Sequence, residues 1–283
     1  MLLEIAIGDA YGAGMEYVPE DFTLEHNDLK SYCKHPSYHA LNAGQYTDDT
    51  QMSLAVAETL LNTGNFSSLT KRDFINGFYQ SFKRDPRDGY SRGFQQFLIE
   101  VESPEQFEAT INSDSNKSGG AMRAGPVGLL PNLELVNQVA ALQASVTHNT
   151  TLGMDAARAV ALSVFYCKNA LGRRKDLDQF LNKHVPGYLW SEDWTDRICS
   201  IGIYHVRAAV TLIRRTNSLS EILQTIVGFG GDVDTAAAIA MAIASQDEDT
   251  CDDLPEVLYS SLEDGDFGRT YLEGIDKMLR DRF

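Results

Sequence analysis

The stretch "GFGGDVDTAAAIAMAIAS", Gly228 to Ser245, decides how this chain folds. Beyond Asp234 it runs through alanine, isoleucine and methionine without a charge, so a helix here has no polar face and must be packed tightly against its neighbours. Its first turn nevertheless holds Asp232, Asp234 and Thr235, acidic groups placed where burial begins. A second stretch, "GQYTDDTQMSLAVAETLL" from Gly44 to Leu61, has the same form. There Thr47, Asp48, Asp49 and Thr50 precede Met52, Ala55, Val56, Thr59 and Leu60, one face of a 3.6-residue period, and Gly64 suits the C-terminal stop.

Outward from these two runs, most of the chain reads as helix. Phe74, Ile75, Phe78 and Phe82 mark one apolar stripe, Leu135, Val139 and Leu142 another, and Met154, Ala157, Ala161, Val164 and Phe165 a third. Ser218 with Glu221 three residues on has the form of a capping box, ahead of Ile222, Leu223, Ile226 and Val227. The polar stretch "NSDSNKSGG", Asn112 to Gly120, reads as a loop between periodic segments. Alternating strand patterns are scarce and no repeat of fixed period is present. The expectation is an all-α fold, one compact domain over residues 1–283.

Composition excludes several classes. No uninterrupted run of about 18 apolar residues is present, so no membrane span is expected, and the N-terminal "MLLEIAIGDAYGAG" has no basic residue ahead of its apolar run, against a secretory signal. A cytoplasmic location is expected. Four scattered cysteines without C-x-x-C spacing read as thiols. With 24 Lys and Arg against 40 Asp and Glu the net charge is −16, which disfavours nucleic acid as a partner. A phosphate-bearing substrate would feel the same field and would need local cations or backbone donors.

The acidic helix starts have two readings. Asp and Thr are good N-caps, since their oxygens accept from free backbone N–H groups and their charge suits the helix dipole. That explains one aspartate in each turn and leaves the second unexplained. Clustered carboxylates repel one another unless a cation sits among them, and oxygen-only ligands suit Mg²⁺ or Mn²⁺ better than zinc. If the two turns face each other, their four aspartates suffice for a pair of such ions. Residue order alone does not show that they meet.

Taken in order, "AIGDAYGAGMEY" (Ala6 to Tyr17), "YTDDTQMSLA", "GYSRGFQQFL", "SGGAMRAGPVGLL" (Ser118 to Leu130), "SVTHNT" and "GGDVDTAAAIA" resemble the motifs of the ADP-ribosylglycohydrolase family, which includes the dinitrogenase reductase activating glycohydrolases and the ADP-ribosyl-acceptor hydrolases. The likeness spans about residues 6 to 245; residues 246–283, opening with "SQDEDTCDDLPE" from Ser245, depart from it and could reshape the rim of a cleft. The resemblance implies an orthogonal helical bundle with two Mg²⁺ or Mn²⁺ ions in a central cleft. It implies Thr47, Asp48 and Asp49 as the first set of metal ligands and Asp232, Asp234 and Thr235 as the second, with Asp234 bridging. Glu16 matches an acidic residue beside the metals, and Asp9 a position that either orients the metal ligands from behind or caps its own helix. Ser118, Gly119, Gly120 and Ala121 match a substrate loop whose N–H groups could form a nest for the pyrophosphate, with Met122 beside them. Arg123 has both an assisting and a structural reading, and His148 both a substrate-facing and a structural one.

The chemistry implied is hydrolysis at C1″ of ADP-ribose, releasing it from an ADP-ribosylated protein or a small acceptor, with oxocarbenium character at that carbon. Asp49 or Asp234 would take the water's proton and Glu16 would help position the water. Two other readings stand beside it: a catalytically silent or immunity-type member that masks a cognate ADP-ribosyltransferase, and an unrelated two-metal phosphohydrolase.

Overall fold

The computed structural model describes residues 1–283. Fifteen α-helices follow one another: α1 Leu2–Ala13, α2 Glu20–His26, α3 Asp48–Asn62, α4 Lys71–Arg84, α5 Arg92–Glu100, α6 Pro104–Thr110, α7 Gly119–Met122, α8 Leu133–Ala144, α9 Thr151–Lys168, α10 Leu177–His184, α11 Gly202–Arg215, α12 Leu219–Gly228, α13 Val233–Ala244, α14 Glu256–Ser260 and α15 Arg269–Arg282. Isolated bridges are the only extended pairing, so the all-α expectation holds.

Helix α13 is the axis of the molecule, buried at every residue from Val233 to Ala244. It packs against α1, α11, α12 and α9. Its alanines explain how α1 can approach so closely, and α1 answers with glycine at the contact. A Cβ on Gly12 would lie 2.4 Å from the Cα of Asp234, and one on Gly8 would lie 2.9 Å from the Ala237 carbonyl carbon. Small residues on both helices therefore bring Asp9 of α1 and Asp234 of α13 to the same level of the core.

The stripes of α3, α4 and α12 bury as their periodicity predicts. That of α8 is rotated: Val136, Val139, Ala140 and Gln143 are buried, and Leu135 and Leu142 only flank them. The reason is Gln143, whose amide takes part in a buried network with Arg123 and the Gly120 carbonyl. The capping box at Ser218 is half formed. Ser218 accepts from the Glu221 N–H, but the Glu221 carboxylate takes the Thr216 hydroxyl instead. A reciprocal box does occur at Thr70 and Asp73, opening α4.

The C-terminal segment lies behind the cleft and lines none of it. Helix α15 packs on α1 and α3, and Asp276 accepts the N–H groups of Leu2 and Leu3 at the start of α1. Its acidic residues thus brace the helices that carry the site, and the rim is built by other segments. No helix is long and apolar enough to cross a membrane.

Candidate active site

The two acidic turns meet. The Thr235 hydroxyl donates to Asp49 Oδ2 at 3.2 Å across the gap between α13 and α3. Carboxylate oxygens of Asp9, Asp49 and Asp234 lie within 4.8 Å of one another, as do those of Glu16, Asp232 and Asp234. Asp234 is the member common to both groups.

Neither turn is capped by its own side chain. Thr47 opens α3 and Asp232 opens α13, and neither makes a capping hydrogen bond. For α3 the cap comes from another helix. Asp9, in the middle of α1, accepts from the Thr47 N–H and hydroxyl and from the Thr50 N–H and hydroxyl, at 2.6–3.1 Å. Both Asp9 oxygens are occupied, so Asp9 orients the α3 turn from behind and leaves Asp48 and Asp49 to face the cleft.

For α13 the corresponding support is His205 on α11, fully buried, with Nε2 3.1 Å from Asp232 Oδ2. Its Nδ1 lies 3.1 Å from the Ile201 carbonyl, which can only accept, so Nδ1 carries a proton. Gly230 and Gly231 both have positive φ, 69° and 95°, and a Cβ on Gly231 would lie 1.9 Å from the Ile198 carbonyl oxygen. Only glycine permits that approach, which lets the Asp232 N–H reach the Ile198 carbonyl at 3.1 Å.

Burial raises the pKa of Asp48, Asp49 and Asp234 well above the usual carboxylate value, and repulsion from the surrounding carboxylates, Asp9 and Asp232 in every case, adds to it. Glu16 is pushed up to about 8, first by burial and then by Asp232 and Asp9. Asp232 is the exception: burial works against its charge, but the neighbouring His205, as imidazolium, holds it below the usual value. One oxygen each of Asp49 and Asp234 is buried without any hydrogen-bond partner. Orphaned carboxylate oxygens converging with threonine hydroxyls, and no nitrogen or sulfur among them, fit a hard divalent cation.

These groups line one wall of a cavity of about 1000 Å³, and Ser118, Gly119, Met122 and His148 contribute to another. The loop is narrower as a donor than its sequence implies. The N–H groups of Ala121 and Met122 already donate to the Ser118 carbonyl, at 2.8 and 3.0 Å, because residues 119–122 form the short helix α7. Ala121 is fully buried and does not reach the cavity, and Met122 offers only its side chain. The N–H groups of Gly119, at the cavity wall, and of Gly120, buried behind it, make no intramolecular hydrogen bond and are the donors left for an anion, while that of Ser118 belongs to the antiparallel bridge between Lys117 and Ile201.

Arg123 takes the structural reading. It is 1% exposed, stacks 4.2 Å from the Phe78 ring, and donates to the Gln143 side chain and carbonyl and to the Thr147 hydroxyl. Thr147 continues the network: its hydroxyl, accepting from Arg123, lies 2.7 Å from His148 Nδ1 and shares one hydrogen bond with it. His148 Nε2 lies on the other side of the ring, beside Gly119. Burial, and then the Arg123 charge, lower its pKa to about 3, so the ring is neutral.

Two features escape the sequence reading. His205 looks like one polar residue in an otherwise apolar helical run, and nothing local links it to Asp232. Gly89 opens the motif "GYSRGFQQFL", but its role does not show there: it has φ of 111° and passes so close to the first turn that a Cβ would lie 2.3 Å from Asp48 Oδ1. Tyr90 anchors that loop through a 2.6 Å bond to the Gln51 side chain. The Gly-Tyr pair is a turn signal, but the residue it roofs over is some forty positions away.

The geometry agrees with comparisons to known proteins. The sequence profile of the ADP-ribosylglycohydrolase family matches residues 1–282. The ADP-ribosylhydrolase ARH3 of Homo sapiens is 27% identical over 266 residues, covering 74% of this chain and 72% of its own. The ADP-ribosyl-[dinitrogen reductase] glycohydrolase of Rhodospirillum rubrum is 24% identical over 269 residues, 92% of this chain and 88% of its own. In three dimensions the fold matches an ADP-ribosylglycohydrolase-related protein complex with a TM-score of 0.73 at 23% identity, over 99% of this chain and 95% of that one. With a profile match along nearly its whole length, the chain belongs to the ADP-ribosylglycohydrolase family, whose members are hydrolases of glycosidic bonds.

Proposed function

We propose that this protein is a divalent-metal-dependent ADP-ribosylhydrolase that cleaves the bond at C1″ of ADP-ribose, freeing a modified protein side chain or a small acceptor. The observation that carries the reading is the convergence of Asp49 and Asp234, each with an unpartnered buried oxygen, from turns joined by the Thr235–Asp49 bond. Thr47, Asp48 and Asp49 on one side and Asp232, Asp234 and Thr235 on the other would hold two Mg²⁺ or Mn²⁺ ions. Bound there, such ions would supply Lewis-acid charge stabilisation and a template for the hydroxyls of the distal ribose.

The chain's own groups do the rest. The Gly119 and Gly120 N–H groups bind the pyrophosphate with fixed dipoles, Ser118 lining the same wall, which meets the need for local donors in an acidic protein. Neutral His148, with Thr147 donating to Nδ1, would offer its Nε2–H to the same end of the cavity. Glu16, carboxylic acid or carboxylate near neutral pH, is suited to hold or pass a proton at the ribose end, and Asp49 and Asp234 are the candidate bases. Asp9 and His205 keep Thr47 to Asp49 and Asp232 in place. All six candidate ligands line the same cavity, which supports hydrolysis over a protein acting only by masking a transferase.

The test is release of ADP-ribose from ADP-ribosylated arginine, serine and O-acetyl substrates. Asp234→Ala removes a group shared by both acidic clusters and is expected to lower turnover by at least about 10³-fold, with helical circular dichroism unchanged. EDTA is expected to abolish release, and Mn²⁺ or Mg²⁺ to restore it. Full turnover in EDTA contradicts the metal reading, and release of phosphate instead of ADP-ribose contradicts the reaction.

A further inference from the structure

The loop that feeds Asp48 and Asp49 into the cleft is held by a joint outside the cavity. Four backbone groups of residues 44–47 have partners from distant segments. The Gly44 carbonyl accepts the Glu263 N–H at 2.9 Å, and the Tyr46 N–H donates to Glu263 Oε1 at 3.0 Å. The Tyr46 carbonyl accepts Arg87 Nη1 at 3.2 Å, and the Thr47 N–H goes to Asp9. Arg87 also donates to Glu263 Oε1 and, through Nε, to Asp85 at 2.8 Å, and its guanidinium lies 3.7 Å from the Tyr46 ring centroid. The Tyr46 hydroxyl completes the joint by donating to the Phe267 carbonyl at 2.8 Å.

Arg87 is 7% exposed, and a charge buried to that degree in a protein of net charge −16 requires a specific arrangement. What it arranges is informative. On one side it fixes the backbone one residue before Thr47. On the other, two residues along its own loop, Gly89 passes against Asp48. Floor and roof of the first acidic turn are therefore tied to the same guanidinium, and that guanidinium is tied to Glu263 in the acidic C-terminal segment.

We infer that Glu263 and Arg87 are positioning residues for the metal-binding turn Thr47 to Asp49: the C-terminal segment sets the aim of Asp48 and Asp49 without touching substrate. This rests on the proposed metal-dependent hydrolysis. Partners of this kind, one step removed from a ligand, change metal affinity more than they change substrate binding.

The experiment compares Glu263→Ala, Glu263→Gln and Arg87→Lys with Asp264→Ala, which removes the neighbouring carboxylate that accepts from Thr270 and Arg269 outside the joint. For each, kcat, KM for an ADP-ribosylated substrate, the Mn²⁺ concentration for half-maximal activity, direct Mn²⁺ binding by electron paramagnetic resonance, and Tm are measured. Glu263→Ala is expected to weaken Mn²⁺ binding and activation by about 10-fold or more and to lower kcat, with KM within about twofold. Glu263→Gln keeps an oxygen for the Tyr46 N–H and for Arg87, and is expected to recover most of that loss. Arg87→Lys, which cannot bond Tyr46, Glu263 and Asp85 together, is expected to resemble Glu263→Ala and serves as the readout should the alanine variant not fold. Asp264→Ala is expected to match the parent protein in kcat, KM and Mn²⁺ dependence, whatever its Tm. The inference is overturned if Glu263→Ala or Arg87→Lys lowers Tm with kcat and Mn²⁺ dependence unchanged, or if Glu263→Gln is as impaired as Glu263→Ala. A parent protein that turns over fully in EDTA defeats the metal reading separately; kcat against Tm across the same variants then decides whether the joint positions Asp48 and Asp49.

Discussion

Two kinds of helix start coexist in this molecule. At α6, α8, α9 and α12 the residues Ser103, Asn132, Thr150 and Ser218 cap their own helices, each accepting a backbone N–H from the first turn. At α3 and α13 the first turns hold equally good capping side chains and use none of them for that purpose. Asp9 caps α3 from a neighbouring helix, and His205 with Gly231 holds the entry to α13. A helix start rich in aspartate is therefore not explained by capping when the cap is supplied from elsewhere. Its carboxylates are left free, buried and crowded, which costs stability unless a cation joins them.

The contrast breaks most visibly if the external cap is removed. Asp9→Ala leaves the N–H and hydroxyl groups of Thr47 and Thr50 without their acceptor. The expected loss is about 3 kcal/mol in urea unfolding, together with weaker metal activation, because buried donors without partners carry their full desolvation cost. Unchanged stability and activity would show that α3 needs no cap from α1.

Acidity sharpens it next. Folding raises the pKa of Asp48, Asp49, Asp234 and Glu16, so the native chain binds protons more tightly than the unfolded one. Without metal, that contribution to stability is full below the ordinary carboxylate range and is lost as pH rises through the raised values, the Glu16 value being about 8. Divalent cations reverse the balance by favouring the charged forms. The rise in Tm on adding Mn²⁺ is expected to be larger at about pH 8 than at about pH 5. Taking the difference at each pH also removes His148, whose lowered pKa acts with the opposite sign.

The smallest effect is expected at a self-capped start. Asn132→Ala deletes the α8 cap, with an expected cost of about 1 kcal/mol by urea unfolding and no change in kcat or metal dependence. A fall in activity comparable to that of Asp9→Ala would erase the distinction.

The distinction also separates what the sequence reveals from what it hides. The apolar faces of α3, α4 and α12 and the oxygen-rich turns are local patterns and could be read directly. The rotated face of α8 could not, since burying Gln143 is favourable only because Arg123 and the Gly120 carbonyl meet it. Ala121 is not a free donor for the same reason: whether an N–H is free depends on which carbonyl the chain folds onto. His205, Arg87 and Glu263 carry residue types found on any surface. Only the packing of α11 and of the C-terminal segment gives them a target.

The most direct measurement is anomalous diffraction at the manganese edge from crystals grown with Mn²⁺. The account predicts peaks enclosed between Thr47, Asp48 and Asp49 on one turn and Asp232, Asp234 and Thr235 on the other, lost in Asp234→Ala. No peak there in a protein that still releases ADP-ribose would contradict it.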